Sequence, residues 1–219
     1  MSVGVLIFDA DAAALLKVEQ LGYRRGDEWL FRNLSFEIRP GQMLWLRGQN
    51  GRGKTSLLRL LVELARPDEG TVSWAHGLAE EPRRRLYLGH SNALKEDLTA
   101  LESLQFLAQL AGCNRSTEQL VAAMRRLAIH QRRHQPVRTL SQGQRRRVAL
   151  TRLALEDAPS LWVLDEPFES LDSQGMASVH ALMHEHLARK GSLILTSHIP
   201  IHLDDANVAV LDLDKVGMQ

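Results

Sequence analysis

The chain has a single cysteine, Cys113, in 219 residues. An internal disulfide is therefore impossible and a thiolate-built metal centre is excluded, so a reducing, cytosolic compartment is the natural expectation. Excess charge is lacking as well. Against 27 Lys and Arg stand 26 Asp and Glu, a net charge of +1, which argues against bulk electrostatic binding to nucleic acid. Long apolar runs are missing too. Residues 3–16 are apolar but broken by Asp9 and Asp11, with no basic stretch before them, and read as neither a signal peptide nor a span. No other run reaches the roughly 18 apolar residues that a membrane helix needs. Work at a membrane would have to go through a partner. There is no internal repeat, and the tail after Leu213 is too short for a regulatory domain.

What is present alternates. Short β-type runs at 16–20, 34–38, 43–47, 71–74, 85–89, 161–165, 192–196 and 208–213 are separated by helical patterns, which gives an α/β architecture. One domain covers residues 16–219, after an extension of residues 1–15 that is an extra strand or a leader. Between 89 and 161 the strand signal disappears. Thr99 and Glu102 form a capping box that opens an amphipathic helix through 110, and Ser116 and Gln119 open another through about 128. A third helix, 145–155, follows Ser141 as its N-cap. An all-helical subdomain, residues 91–158 or so, is thus inserted into the α/β core.

The segment Gly48-Gln49-Asn50-Gly51-Arg52-Gly53-Lys54-Thr55-Ser56 satisfies the phosphate-loop pattern in full, between an apolar strand and a helical run. Its glycines let the backbone wrap an anion without Cβ clashes, and the new helix adds its positive end. Lys54 neutralises β- and γ-phosphates, and Thr55 or Ser56 offers a hydroxyl to Mg²⁺. A continuous apolar run, Leu161-Trp162-Val163-Leu164, ends in Asp165-Glu166. A buried parallel strand that delivers two acids at its carboxyl end is where α/β sheets place ligand chemistry. Asp165 then belongs to the Mg²⁺ shell, and Glu166 polarises the attacking water. In Leu140-Ser141-Gln142-Gly143-Gln144 and the arginines that follow, cations crowd the helix end where the dipole disfavours them; an anion docked there would offset the cost.

The order of phosphate loop, helical insert, Leu140–Gln144, Asp165-Glu166, Ser170-Leu171-Asp172 and Thr196-Ser197-His198 resembles the ATP-binding-cassette (ABC) ATPases over nearly the whole chain from Leu16. The resemblance implies a P-loop NTPase core with N-terminal antiparallel strands and a helical subdomain, ATP and Mg²⁺ as ligands, and a second copy of the chain as obligate partner. It makes Ser141, Gln142, Gly143 and Gln144 the signature motif that meets the opposite copy's γ-phosphate. It places Asp172 in the loop linking the two sites and makes His198 the γ-phosphate sensor beside the catalytic Glu166. Two positions depart from the family pattern. The adenine-stacking aromatic falls on Arg25, with Tyr23 two residues earlier, and the glutamine expected after strand 85–89 is His90. A guanidinium plane can also stack on a base.

Tyr87-Leu88-Gly89-His90, Leu98–Leu104, Gly53–Leu61 and Gln142–Arg147 are similar to the ATPase subunits of cytochrome c maturation haem exporters. That implies a peripheral protein on the cytoplasmic face of the cell inner membrane, beneath an integral membrane permease subunit, with ATP turnover releasing the haem-loaded chaperone. It implies no nucleic-acid partner. His180 and His184 share a helix face, but without an evident third ligand they carry no metal reading; Arg83–Arg85 and Arg132-Arg133 read as solvated.

Overall fold

The computed structural model describes residues 14–75, 85–201 and 207–216. Most of the N-terminal extension, with Arg83 and Arg84, therefore lies outside the described residues. Two sheets form. Strands β1 (Leu16–Arg25), β2 (Glu28–Ile38) and β4 (Glu69–Trp74) make an antiparallel sheet in the order β2-β1-β4. Strands β3 (Gln42–Arg47), β5 (Arg85–Leu88), β6 (Leu161–Leu164), β7 (Ser192–Thr196) and β8 (Asn207–Asp212) make a parallel sheet in the order β5-β6-β7-β3-β8.

The parallel sheet is covered on both faces, and its strands show it. All of β6 is buried; its Leu161 and Val163 join the core shared with the antiparallel sheet and α1 (Lys54–Leu61). Its Trp162 and Leu164 point the other way, into the core shared with the helical block and α5 (Ser173–Ala188). Such two-sided burial reads as an unbroken apolar run, which is why alternation is absent here. The register aligns the carboxyl ends. Leu46 pairs Thr196, and Leu164 pairs both Leu195 and Leu88. The phosphate loop, Asp165, Ser197 and Gly89 therefore step off one edge of the sheet, where open α/β sheets bind ligands.

Every element between Leu88 and Leu161 is helical: α2 (Ala100–Leu110), α3 (Thr117–Arg126), α4 (Gln142–Leu150) and three 3₁₀ turns. The capping boxes expected at Thr99/Glu102 and Ser116/Gln119 both form, and Ser141 with Gln144 makes a third. The helix expected over 145–155 is shorter. It starts at Gln142 and tightens into a 3₁₀ turn at Thr151–Leu155, where the Thr151 hydroxyl donates back to the Arg147 carbonyl at 2.9 Å.

One buried histidine gives the fold a pH dependence. His186 on α5 is fully buried, and its ring stacks on Trp162 at 3.8 Å and 12°. Nε2 lies 2.9 Å from the Ser160 carbonyl, which requires an N–H there, while Nδ1 has no partner. Burial pushes its pKa down to about 4. An unfolded histidine titrates near 6.5, so between those values only the unfolded chain takes up the proton. Stability is therefore complete above pH 6.5 and falls as the pH drops towards 4, by about 3 kcal/mol at most. Urea midpoints measured across that window should decline in the wild type and flatten in His186→Phe. An equal slope in both proteins would assign the acid sensitivity to other groups.

Candidate nucleotide site

Four strand ends converge on a cleft of about 650 Å³ lined by the phosphate loop, Asp165, Glu166, Phe168, Glu169, His90, Ser197, His198, Ile199, Arg25 and Leu30. The loop takes left-handed backbone at Gly48, Gly51 and Gly53, with φ of 144°, 84° and 91°. Gly53 is additionally crowded: a Cβ there would stand 3.0 Å from Leu30 Cβ. Lys54 Nζ donates to the Gly48 carbonyl at 2.7 Å and the Gln49 carbonyl at 3.2 Å, so its charge sits within the curve of the loop. From outside, the Asp214 carboxylate accepts from the Gln49 amide at 3.0 Å and from Arg52 Nε at 3.0 Å.

Behind the loop runs a connected set of oxygens. Thr55 donates to Asp165 Oδ2 at 2.8 Å, and Thr196 donates to Asp165 Oδ1 at 2.8 Å. The same Thr196 hydroxyl accepts the Glu166 amide at 2.8 Å. Glu166 stands at φ 47°, a conformation that costs a non-glycine residue about 1 kcal/mol or more. Its Oε2 accepts the His198 amide at 3.2 Å, while Oε1 is buried without a hydrogen bond, 3.4 Å from His198 Nε2. His90 lines the same cleft with Nδ1 3.0 Å from Glu169 Oε2.

A second cavity, of about 420 Å³, collects Ser141, Gly143, Gln144, Arg147, Ser170 and Asp172, and its lining shares no residue with the first. Gly143 has no room for a side chain, because a Cβ would meet the Ser170 carbonyl. Asp172 caps α5 by accepting from the Gly175 amide at 2.8 Å and pairs with Arg147. The Gly175 amide first and Arg147 second hold its carboxyl below the usual range. Gln142 is exposed.

Two sequence expectations change. Of the two residues proposed for the base, Arg25 lines the cleft and Tyr23 does not; the Tyr23 ring stacks with Phe31 at 6.3 Å and packs on the core. The arginines of α4 need no docked anion. Arg145 donates to the carbonyls of Val137, Leu140 and Arg138, Arg147 to Leu127 and Asp172, and Arg146 to four oxygens behind the cleft. Their cations run back from the helix start into carbonyl dipoles, which removes the conflict with the macrodipole. Arg146, Glu169, Leu30 and Asp214 do not stand out singly in the sequence, and Thr196 does so only as the first residue of the Thr196-Ser197-His198 motif. The basic run was visible for Arg146, but its partners lie 19 to 57 residues away.

A phosphate loop after an interior parallel strand, with a histidine and an acid pair from the next two strands across the sheet, defines an ABC-type nucleotide-binding domain, and the family profile for ABC transporters matches residues 31–169. The chain belongs to that family. Within it, the chain is 43% identical over 207 residues to the cytochrome c biogenesis ATP-binding export protein CcmA 2 of Cupriavidus metallidurans, covering 92% of this chain and 96% of that one. It is also 43% identical over 212 residues to the cytochrome c biogenesis ATP-binding export protein CcmA of Aromatoleum aromaticum, covering 93% and 97%. An ABC transporter ATP-binding protein from Pyrococcus furiosus superposes with a TM-score of 0.76 at 23% identity, over 92% of this chain and 98% of that one, and bears on the fold alone.

Proposed function

We propose that this chain is the ATP-hydrolysing subunit of a cytochrome c biogenesis exporter, working as a pair of copies on the cytoplasmic face of the cell inner membrane beneath an integral membrane permease. Its ATP turnover drives haem export or the release of a haem-loaded chaperone. The observation that carries the hydrolytic part is the continuous hydrogen-bonded set Thr55–Asp165–Thr196–Glu166–His198 behind the phosphate loop. The pathway rests on the names of the relatives.

In this reading Lys54 and the loop amides, Gly48 to Ser56, hold the β- and γ-phosphates, and Arg25 with Leu30 faces the base. The hydroxyl of Thr55 and the carboxylate of Asp165 are hard oxygen donors side by side, which suits Mg²⁺. No group of three or more His, Cys, Asp or Glu among the described residues could hold a metal ion alone, so such a cation would lean on phosphate and water oxygens. When bound, Mg²⁺ would offset charge on the phosphates. Glu166 takes the proton of the attacking water, and His198, tied to that carboxylate through its amide, senses the γ-phosphate. Ser141, Gln142, Gly143 and Gln144, with Asp172 beside them, face the nucleotide of the second copy. His90 stands where the cleft meets the loop after β5 and takes the place of the family glutamine.

No helix among the described residues is long and apolar enough to cross a membrane. Purification of the tagged chain from detergent-solubilised membranes should therefore bring down its permease. A cytochrome c maturation membrane subunit among the captured proteins is the expected result. Capture of a different permease would overturn the pathway and leave the ATPase reading intact.

A further inference from the structure

Arg146 lies on the helix whose start carries the signature residues, yet both its terminal nitrogens donate around the other site. It is 4% exposed. One terminal nitrogen donates to the Asp165 carbonyl at 2.8 Å and the Glu166 carbonyl at 2.9 Å. The other donates to the Gly89 carbonyl at 3.0 Å and to Asn92 Oδ1 at 3.2 Å. A single planar fork thus ties α4 to the end of β6 and to the loop after β5. Burial lowers its pKa, and the charges of Glu169, Asp165 and Glu166 oppose that drift, so the cation is retained.

We infer that Arg146 is the positioning residue that holds Glu166 in its left-handed backbone conformation. The inference rests on Glu166 being the general base. A non-glycine residue at φ 47° persists only where its surroundings over-determine it. Two contacts do so, one at each end of the residue: Thr196 takes the amide and Arg146 takes the carbonyl. Relaxed towards ordinary backbone, Glu166 would swing its carboxylate off the line set by the His198 amide. The arginine also fixes this geometry to the signature helix. Any rotation of α4 against the parallel sheet pulls on the same carbonyl, so closure of the two copies on nucleotide and alignment of the base are mechanically one event.

Lysine cannot reproduce the fork, because its ammonium has three donors on one atom. In the purified complex, Arg146→Lys should lower kcat about tenfold or more while KM for ATP stays within about threefold, since a misaligned base weakens only the transition state. Arg146→Gln, which removes the buried cation altogether, should lower kcat in the same pattern, so a folding defect in the lysine variant does not leave the idea unexamined. Asn92→Ala removes one of the fork's bonds away from Glu166 and should stay within about twofold of wild type. Placed in a Glu166→Gln background, where turnover is already gone, Arg146→Lys should leave ATP affinity unchanged. Equal damage from Asn92→Ala, or parallel losses in kcat and affinity, would make Arg146 merely structural. Full kcat in both Arg146 variants overturns the positioning role alone, whereas turnover surviving in Glu166→Gln by itself overturns the reading of Glu166.

Discussion

Replacement of Glu166 by Gln is expected to abolish ATP turnover while leaving ATP binding intact, and to trap nucleotide-bound dimers. The substitution keeps volume and backbone. The new amide carbonyl can still accept the His198 amide that Oε2 accepts at 3.2 Å, so the local fold has no reason to change. What disappears is the negative charge and the acceptor at Oε1, which is buried without a hydrogen-bond partner. A positioned general base contributes about 10²–10⁴ in rate, or about 3–5 kcal/mol of barrier. In the proposed site binding rests on Lys54 and the loop amides, and Lys54 donates to the Gly48 and Gln49 carbonyls, not to the Glu166 side chain. Steady-state phosphate release, nucleotide titration and gel filtration with ATP and Mg²⁺ check the three parts. A variant that remains monomeric with bound ATP would undermine the shared-site architecture, and one that still turns over would remove Glu166 from the chemistry.

The local features of the chain were legible before the structure. The phosphate loop needs glycines and a lysine in fixed order, and Thr99/Glu102 and Ser116/Gln119 advertise helix starts through contacts three residues apart. The acid pair after β6 was legible for the same reason, since a four-residue apolar run ended on it. The choice between Tyr23 and Arg25 was not. Two residues apart on one strand, they should share a face. The register instead slips between Tyr23, which pairs Phe31, and Arg24, which pairs Trp29, so that Leu30 bulges out of the ladder and lines the cleft beside Arg25. Positive φ at Gln20 and Asn33 marks further irregularity along the same hairpin. Alternation cannot be counted through bulges. The hairpin's aromatics are engaged elsewhere: Trp29 lies under Arg24 and Arg32 at 4.1 and 4.7 Å, and Tyr23 packs with Phe31.

The basic run 145–147 failed in a different way. Composition located the charge but not its direction. A helix start in isolation would repel those cations, which is why a docked anion looked necessary. The fold supplies acceptors from the end of β6, the loop after β5 and the C-terminal end of α3, and the arginines become braces instead. Arg146, Thr196 and Asp214 each act across more than 18 residues of chain, and no spacing rule reaches that far.

Loss of the Lys54 ammonium should have the largest effect on nucleotide affinity. Lys54→Ala removes a charge held within the loop by the Gly48 and Gln49 carbonyls at 2.7 and 3.2 Å. A hydrogen bond between charged groups contributes about 1.5–3 kcal/mol, so affinity for ATP should fall by about 10- to 150-fold. The Gly48 carbonyl also loses its Lys54 donor, and the loop must hold its curve on the glycines, the Arg52 amide to the Gln49 carbonyl at 3.3 Å and the Asp214 tether. Arg52→Ala is the informative contrast. Its pair with Asp214 is 3.0 Å long but partly exposed at 39% and 30%, and such pairs contribute about 1 kcal/mol or less, so affinity should fall no more than about fivefold. Isothermal titration with ATP and Mg²⁺ separates the two variants on a single scale. If both behave alike, the Lys54 charge does not meet the phosphates and the site lies elsewhere; a wide gap between them places the γ-phosphate beside Lys54, within reach of the Glu166 carboxylate that the first variant removes.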